Sequence, residues 1–164
     1  MLFCCLFLLS YKFFNLWFQP DDTSSMYAAT KDILKLFFDR DTYLTTYKFF
    51  YTPLLPVAFK VDLTLFGLNP TGYHVTNLIA AFLCGIIGYK LNRLFMPRFE
   101  SWAGTYLFLL SYPVITIVGW LSMTHYLWGT FFVLSSFYLF KKAEPRNLPS
   151  FLLSYFCYYN RISI

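Results

Sequence analysis

Between Ser101 and Phe140 the chain runs for 40 residues without one charged side chain. As a single helix that run would be roughly 60 Å long at 1.5 Å per residue. A bilayer's hydrocarbon core is only about 30 Å thick. The run must therefore fold back, giving two spans at about 101–118 and 122–140 with a turn near Gly119 to His125. Pro113 kinks or ends the first of them. A water-exposed domain is excluded on similar grounds: the 164 residues are 58% hydrophobic and 13% charged, too little charge to cover a surface. The expected fold is an all-α, polytopic membrane helix bundle forming a single domain over 1–164. Its length allows about five spans.

The other spans fall at about 2–18, 73–96 and 148–160. The segment Leu2 to Phe18 lacks a basic start and a small-residue cleavage site, so it reads as a retained first span rather than a signal peptide. Its Lys12 snorkels or faces the bundle. In the second, Ala81 with Gly85 and Cys84 with Gly88 make small faces that let helices approach closely. The last is short. The chain therefore reads as the N-terminal part of a longer bundle, or as one piece of a split protein whose membrane partner supplies the missing helices. Cys4, Cys5, Cys84 and Cys157 all lie in apolar runs without disulfide or metal spacing and read as small buried hydrophobes.

The net charge of +5 does not form a nucleic-acid footprint, because the basic residues form no run and sit at the ends of apolar stretches. They set orientation instead. Lys90, Arg93 and Arg98 follow the second span, and Lys141, Lys142 and Arg146 follow the fourth, so both loops are cytoplasmic. The loop 19–72 is then extracytoplasmic, periplasmic or in the lumen of the endoplasmic reticulum. It holds Asp21, Asp22, Asp32, Asp39, Asp41 and Asp62. The turn at 119–125 shares that side, so topology alone brings Asp21, Asp22, His74 and His125 to one face. Within the loop, Met26 to Phe38 reads as one amphipathic helix on the membrane surface, with Lys35 and Asp39 paired at i,i+4 and Thr23, Ser24 or Ser25 capping its start. Residues 53–66 alternate like a strand around Lys60, Asp62 and Thr64. A lone strand beside a bilayer leaves its backbone unpaired, so a second interfacial helix is expected, followed by a turn at Asn69-Pro70.

The stretch Tyr51 to Asn77 carries the most specific signal. Tyr51-Thr52-Pro53-Leu54 is followed by Phe66-Gly67-Leu68-Asn69-Pro70-Thr71-Gly72-Tyr73-His74-Val75-Thr76-Asn77. Over about residues 20–140 this resembles the N-terminal part of the GT-C superfamily of membrane glycosyltransferases. The closest likeness is to protein O-mannosyltransferase-like members, including those that carry tetratricopeptide repeats. In them a segment "Y-R-P-L … F-G-L-N-P-x-G-Y-H-x-x-N" leads into a membrane helix. Thr52 stands where the arginine is usual. A later run of the type "H-P-V-H-x-E-A-V" aligns with Tyr112 to Gly119 and matches only at Pro113 and Val114.

The resemblance implies sugar transfer from a polyprenyl- or dolichyl-phosphate carrier to an acceptor on the extracytoplasmic side. Such chemistry needs a base for the acceptor hydroxyl, and positive charge or a divalent cation for the leaving phosphate. In the family the catalytic acid lies just after the first span, a place that falls here on Asp21 or Asp22. The plainer reading is that Asp-Asp-Thr-Ser-Ser caps the following helix. Tyr51, Pro53, His74, Asn77 and His125 are the candidate substrate-binding residues. His74 and Asn77, at i,i+3, share one helix face, and either contact phosphate or acceptor or tie down the preceding turn. His125, beside Tyr126 and Trp128, fits an interfacial aromatic cluster as well as a ligand. The histidines and carboxylates are too scattered for a metal site. The alternative from another class is a catalytically degenerate membrane scaffold subunit. A transporter or channel would need intramembrane charges that the chain lacks apart from Lys12.

Overall fold

A computed structural model describes residues 16–47 and 51–142. The expectations for residues 2–15, Arg146 and the segment 148–160 lie outside the described residues. All secondary structure among the described residues is helical: α1 (Pro20–Ala29), α2 (Ile33–Phe38), α3 (Arg40–Tyr47), α4 (Leu54–Phe66), α5 (Pro70–Asn92), α6 (Arg98–Leu109), α7 (Tyr112–Gly119), a 3₁₀ turn (Leu121–Met123) and α8 (Thr124–Lys142).

The long helix α5 is the axis. Asn69 caps it by accepting from the Thr71 amide, and Pro70 opens the first turn, where its missing N–H costs nothing. Gly67, at φ 58°, supplies the left-handed residue that ends α4 and lets α5 begin only three residues later. Among the described residues α5 is the single helix long and apolar enough by itself to cross a membrane. Helices α6 and α7, 12 and 8 residues long, are each too short and pass that test only jointly, and they meet at an angle of 50°.

Contacts along α5 fix how its neighbours run. Gly85 faces Leu109 and Tyr89 stacks on Trp102, with ring centroids 4.4 Å apart, so α6 runs antiparallel to α5. Asn77 reaches the Val118 carbonyl, the Cys84 thiol donates to the Leu127 carbonyl, and Gly88 faces Leu134. Partner numbers rise together, so α8 runs parallel to α5, and α6–α7 form the return between them. The core where these helices meet is Leu78, Ala80, Ala81, Leu109, Val114, Val118 and Leu127. A second cluster, of Ala29, Leu55, Phe59, Tyr73 and Leu121, joins α1 and α4 to the start of α5.

Several expected boundaries move. The span expected at 73–96 is Pro70–Asn92. The one expected at 101–118 is broken at Leu110 and Ser111. The helix expected over Met26 to Phe38 is two helices, because the Asp32 carboxylate accepts from the Leu34 amide and starts α2 afresh. Within α2 Leu36 is the buried residue, while Leu34 and Phe38 are exposed. Asp39 serves two helices: its amide closes α2 on the Lys35 carbonyl, and its carboxylate caps α3 through Thr42 and the Asp41 amide. The strand-like alternation at 60–65 lies within helix α4, as the unpaired-backbone argument requires.

A methyl group added at Gly85 would come within 2.5 Å of a Leu109 side chain that is fully buried. Gly85→Ala is therefore expected to lose about 1–2 kcal/mol, despite alanine's better helix propensity. In a Leu109→Ala background the same change becomes neutral or stabilising. Thermal unfolding of the four variants measures this coupling.

Helix α4 buries Asp62, whose carboxylate accepts from the Thr76 hydroxyl of α5 at 3.1 Å. Burial pushes this acid from 3.8 up to about 6. The folded state then holds the proton more tightly than the unfolded chain, so stability is greatest below about pH 4 and falls as pH rises through about 6. Asp62→Asn should remove that slope and gain about 2 kcal/mol near neutral pH. Unfolding temperatures in detergent at about pH 5 and about pH 8 test it; a slope unchanged in the variant assigns the pH dependence elsewhere.

Candidate functional site

The polar groups gather at the end of the bundle where α5 begins and α8 begins. Gln19 precedes α1 and caps it reciprocally: its amide donates to Asp22 Oδ2 at 2.7 Å, and Asp22 is the third helical residue. Pro20 at the first helical position sets this entry, so the helix starts before Thr23, Ser24 and Ser25, which were the expected caps. Those hydroxyls instead donate back to the carbonyls of Pro20 and Asp21.

The other Asp22 oxygen reaches across the molecule. Oδ1 accepts from the Ser122 amide at 2.9 Å and from the Ser122 hydroxyl at 2.5 Å. Asp22 is 1% exposed, so three donors meet a carboxylate out of water. Such charge-assisted bonds are the strong class. The Ser122 carbonyl in turn lies 3.1 Å from His125 Nδ1.

His74, on the first turns of α5, is 2% exposed, and neither ring nitrogen completes a hydrogen bond, although the carbonyls of Leu16 and Val118 lie near. The Asp22 charge acts on this ring. One turn on, Asn77 is buried and its Nδ2 reaches the Val118 carbonyl at 3.5 Å, a long bond. The Trp120 indole N–H is also buried without a partner. Asp22, His74, Asn77, Ser122 and His125 are thus gathered where residues 16–22, α5 and the turn before α8 converge.

The remaining candidates go elsewhere. Asp21, in the first turn of α1, is exposed. The Tyr51 hydroxyl donates to the Phe37 carbonyl, and its ring packs edge-on against Tyr43. That cluster, with Ala28 and Leu36, holds α1, α2 and α3 together. Pro53 starts α4. These two residues belong to the scaffold of the loop segment.

Ser122 and Asp62 were missed from sequence. Ser122 is one serine in the turn before α8, and nothing local marks it as the partner of an aspartate 100 residues away. Asp62 carries a signal: it is the one acid in α4, flanked by Val61 and Leu63.

No family model matches the chain, and neither curated proteins nor solved structures give a match.

Removing the Asp22 carboxylate would strand the part-buried Ser122 and Gln19 amides. Asp22→Ala is expected to cost about 2–4 kcal/mol, and Asp22→Asn less, because its carbonyl still serves Ser122 while its amide faces the Gln19 donor. Amide hydrogen exchange at Ser122 should accelerate in both, more in the alanine variant. Unchanged protection would mean that the contact is not what fastens this turn.

Proposed function

We propose that the chain is a membrane-embedded glycosyltransferase of GT-C type, or the N-terminal part of one. In this reading α5, the α6–α7 pair and α8 belong to a multi-pass bundle, and the end bearing Asp22 faces the periplasm or the lumen of the endoplasmic reticulum. The sugar travels from a polyprenyl- or dolichyl-phosphate carrier to an acceptor hydroxyl.

The observation that carries the reading is the convergence at Asp22. A carboxylate immediately after the expected first span is fastened to Ser122 and lies beside His74, whose nitrogens have no hydrogen-bond partner. Both Asp22 oxygens are occupied by the chain, so its part is to position. Asp21, one residue earlier and exposed, is the carboxylate open to an acceptor and takes the proton as general base. His74 and Asn77 line the entrance of α5 that the phosphate would approach. The carrier's isoprenoid tail lies against the spans.

A second reading, a non-catalytic scaffold subunit, is favoured by one feature. The segment Tyr112 to Gly119 offers tyrosine and isoleucine where the family has histidines and glutamate, and Tyr112 is 82% exposed.

Sugar transfer in proteoliposomes from a polyprenyl-phosphate mannose donor separates the two. Under the first reading Asp21→Asn lowers kcat by about 10²–10⁴ while leaving insertion and unfolding temperature unchanged, and Asp22→Asn lowers both rate and stability. Wild-type protein without transfer, or an Asp21→Asn variant with full activity, would refute the catalytic assignment.

A further inference from the structure

The opposite end of the bundle has the reverse chemistry. Because α8 runs parallel to α5 while α6 runs antiparallel, the last turn of α5, the first turn of α6 and the last turn of α8 all finish there. That topology collects Lys90, Arg93, Arg98, Lys141 and Lys142, all exposed, against one acid among the described residues, Glu100. The Arg93 guanidinium donates to the Met96 carbonyl at 3.0 Å and fixes the turn between α5 and α6. Lys141 Nζ sits 5.3 Å from the Phe95 ring centre, which ties the end of α8 to that same turn.

Among these cations stand bare apolar side chains. Phe95 is 62% exposed, Met96 50% and Phe99 81%, with Leu94 and Phe140 also exposed. Cations interleaved with outward-pointing aromatics suit a surface where headgroup phosphates meet acyl chains: the rings enter the interface and the cations stay at phosphate depth. An anionic lipid supplies the counter-charge for these cations and the apolar bed for these rings together.

We propose that this end of the bundle is a binding surface for anionic phospholipids, held by Lys90, Arg93, Arg98, Lys141 and Lys142 around the Phe95–Phe99 turn. The proposal rests on membrane insertion and not on sugar transfer.

The test uses the full chain in bilayers with chain-spin-labelled phosphatidylglycerol or phosphatidylcholine, reading the motionally restricted fraction of each lipid. The expected result is about fivefold preference for phosphatidylglycerol, lost at about 1 M salt. The quadruple change Lys90→Gln, Arg93→Gln, Lys141→Gln and Lys142→Gln should abolish it, and Lys31→Gln with Lys35→Gln, on α2 and its approach, should leave it intact. If the quadruple variant does not fold, Lys141→Glu with Lys142→Glu at the end of α8 should reduce the preference severalfold. Equal restriction of both lipids, or a preference that survives these changes, overturns the proposal. Restriction of neither lipid overturns the membrane reading beneath it.

Discussion

The architecture depends on the parallel pairing of α5 and α8. Two helices that are neighbours in space but run the same way cannot be joined by a tight turn, so the chain must travel back between them. The α6–α7 segment makes that return, and its bend at Leu110 and Ser111 delivers Val114 and Val118 to the same core as Leu78 and Leu127. The pairing itself rests on small residues. Ala80, Ala81, Cys84 and Gly85 bring the α5 backbone close enough for the Cys84 thiol to reach the Leu127 carbonyl and for Leu109 to fill the space at Gly85. Larger side chains there would separate the helices, and the polar contacts at their ends would lose register.

Parallel pairing also makes the two ends of the bundle chemically different. In an alternating up-and-down bundle, neighbouring helices would place the basic end of α5 beside the start of α8. Here both helices finish in lysine on one side and start in histidine on the other: Lys90 and Lys141–Lys142 against His74 and His125. The exposed cations need only water or a counter-ion. The opposite end hides its polar groups, and hidden groups must find partners within the chain. Asp22 meets that requirement by reaching 100 residues along the sequence to Ser122, and the reach is what draws the segment before α1 onto the turn before α8.

Helices marked by length and apolar content were legible in the sequence. So was the common side of Asp22, His74 and His125, because it follows from where charges end apolar runs. Boundaries governed by single side chains were not. Asp32 breaks the Met26–Phe38 periodicity by capturing the Leu34 amide, a choice that helical spacing does not register. Pro20 moves the start of α1 ahead of the serines that were expected to cap it. The partnership of Asp22 with Ser122 was out of reach for a different reason: it is set by the packing of α5 on α8, and neither residue carries a local mark of it. Tyr51 shows the converse. Its place in a recognisable motif suggested a ligand, whereas its hydroxyl bonds the Phe37 carbonyl and its ring serves a core.

His74 is where these arguments meet. A buried imidazole with neither nitrogen bonded is costly, because burial removes water and the chain returns nothing. Tyr73 next to it shows the contrast: its hydroxyl donates to the Gly67 carbonyl at 2.9 Å and holds the α4–α5 turn. If His74 served only that turn, a bond of the same kind would be expected. Its ring instead lies within the field of Asp22, near two carbonyls that it does not fully engage. Small shifts of the segment at Leu16 or of the α7 end at Val118 would complete those bonds. The imidazole thus sits where the three converging segments meet, buried and without the bond that fastens Tyr73.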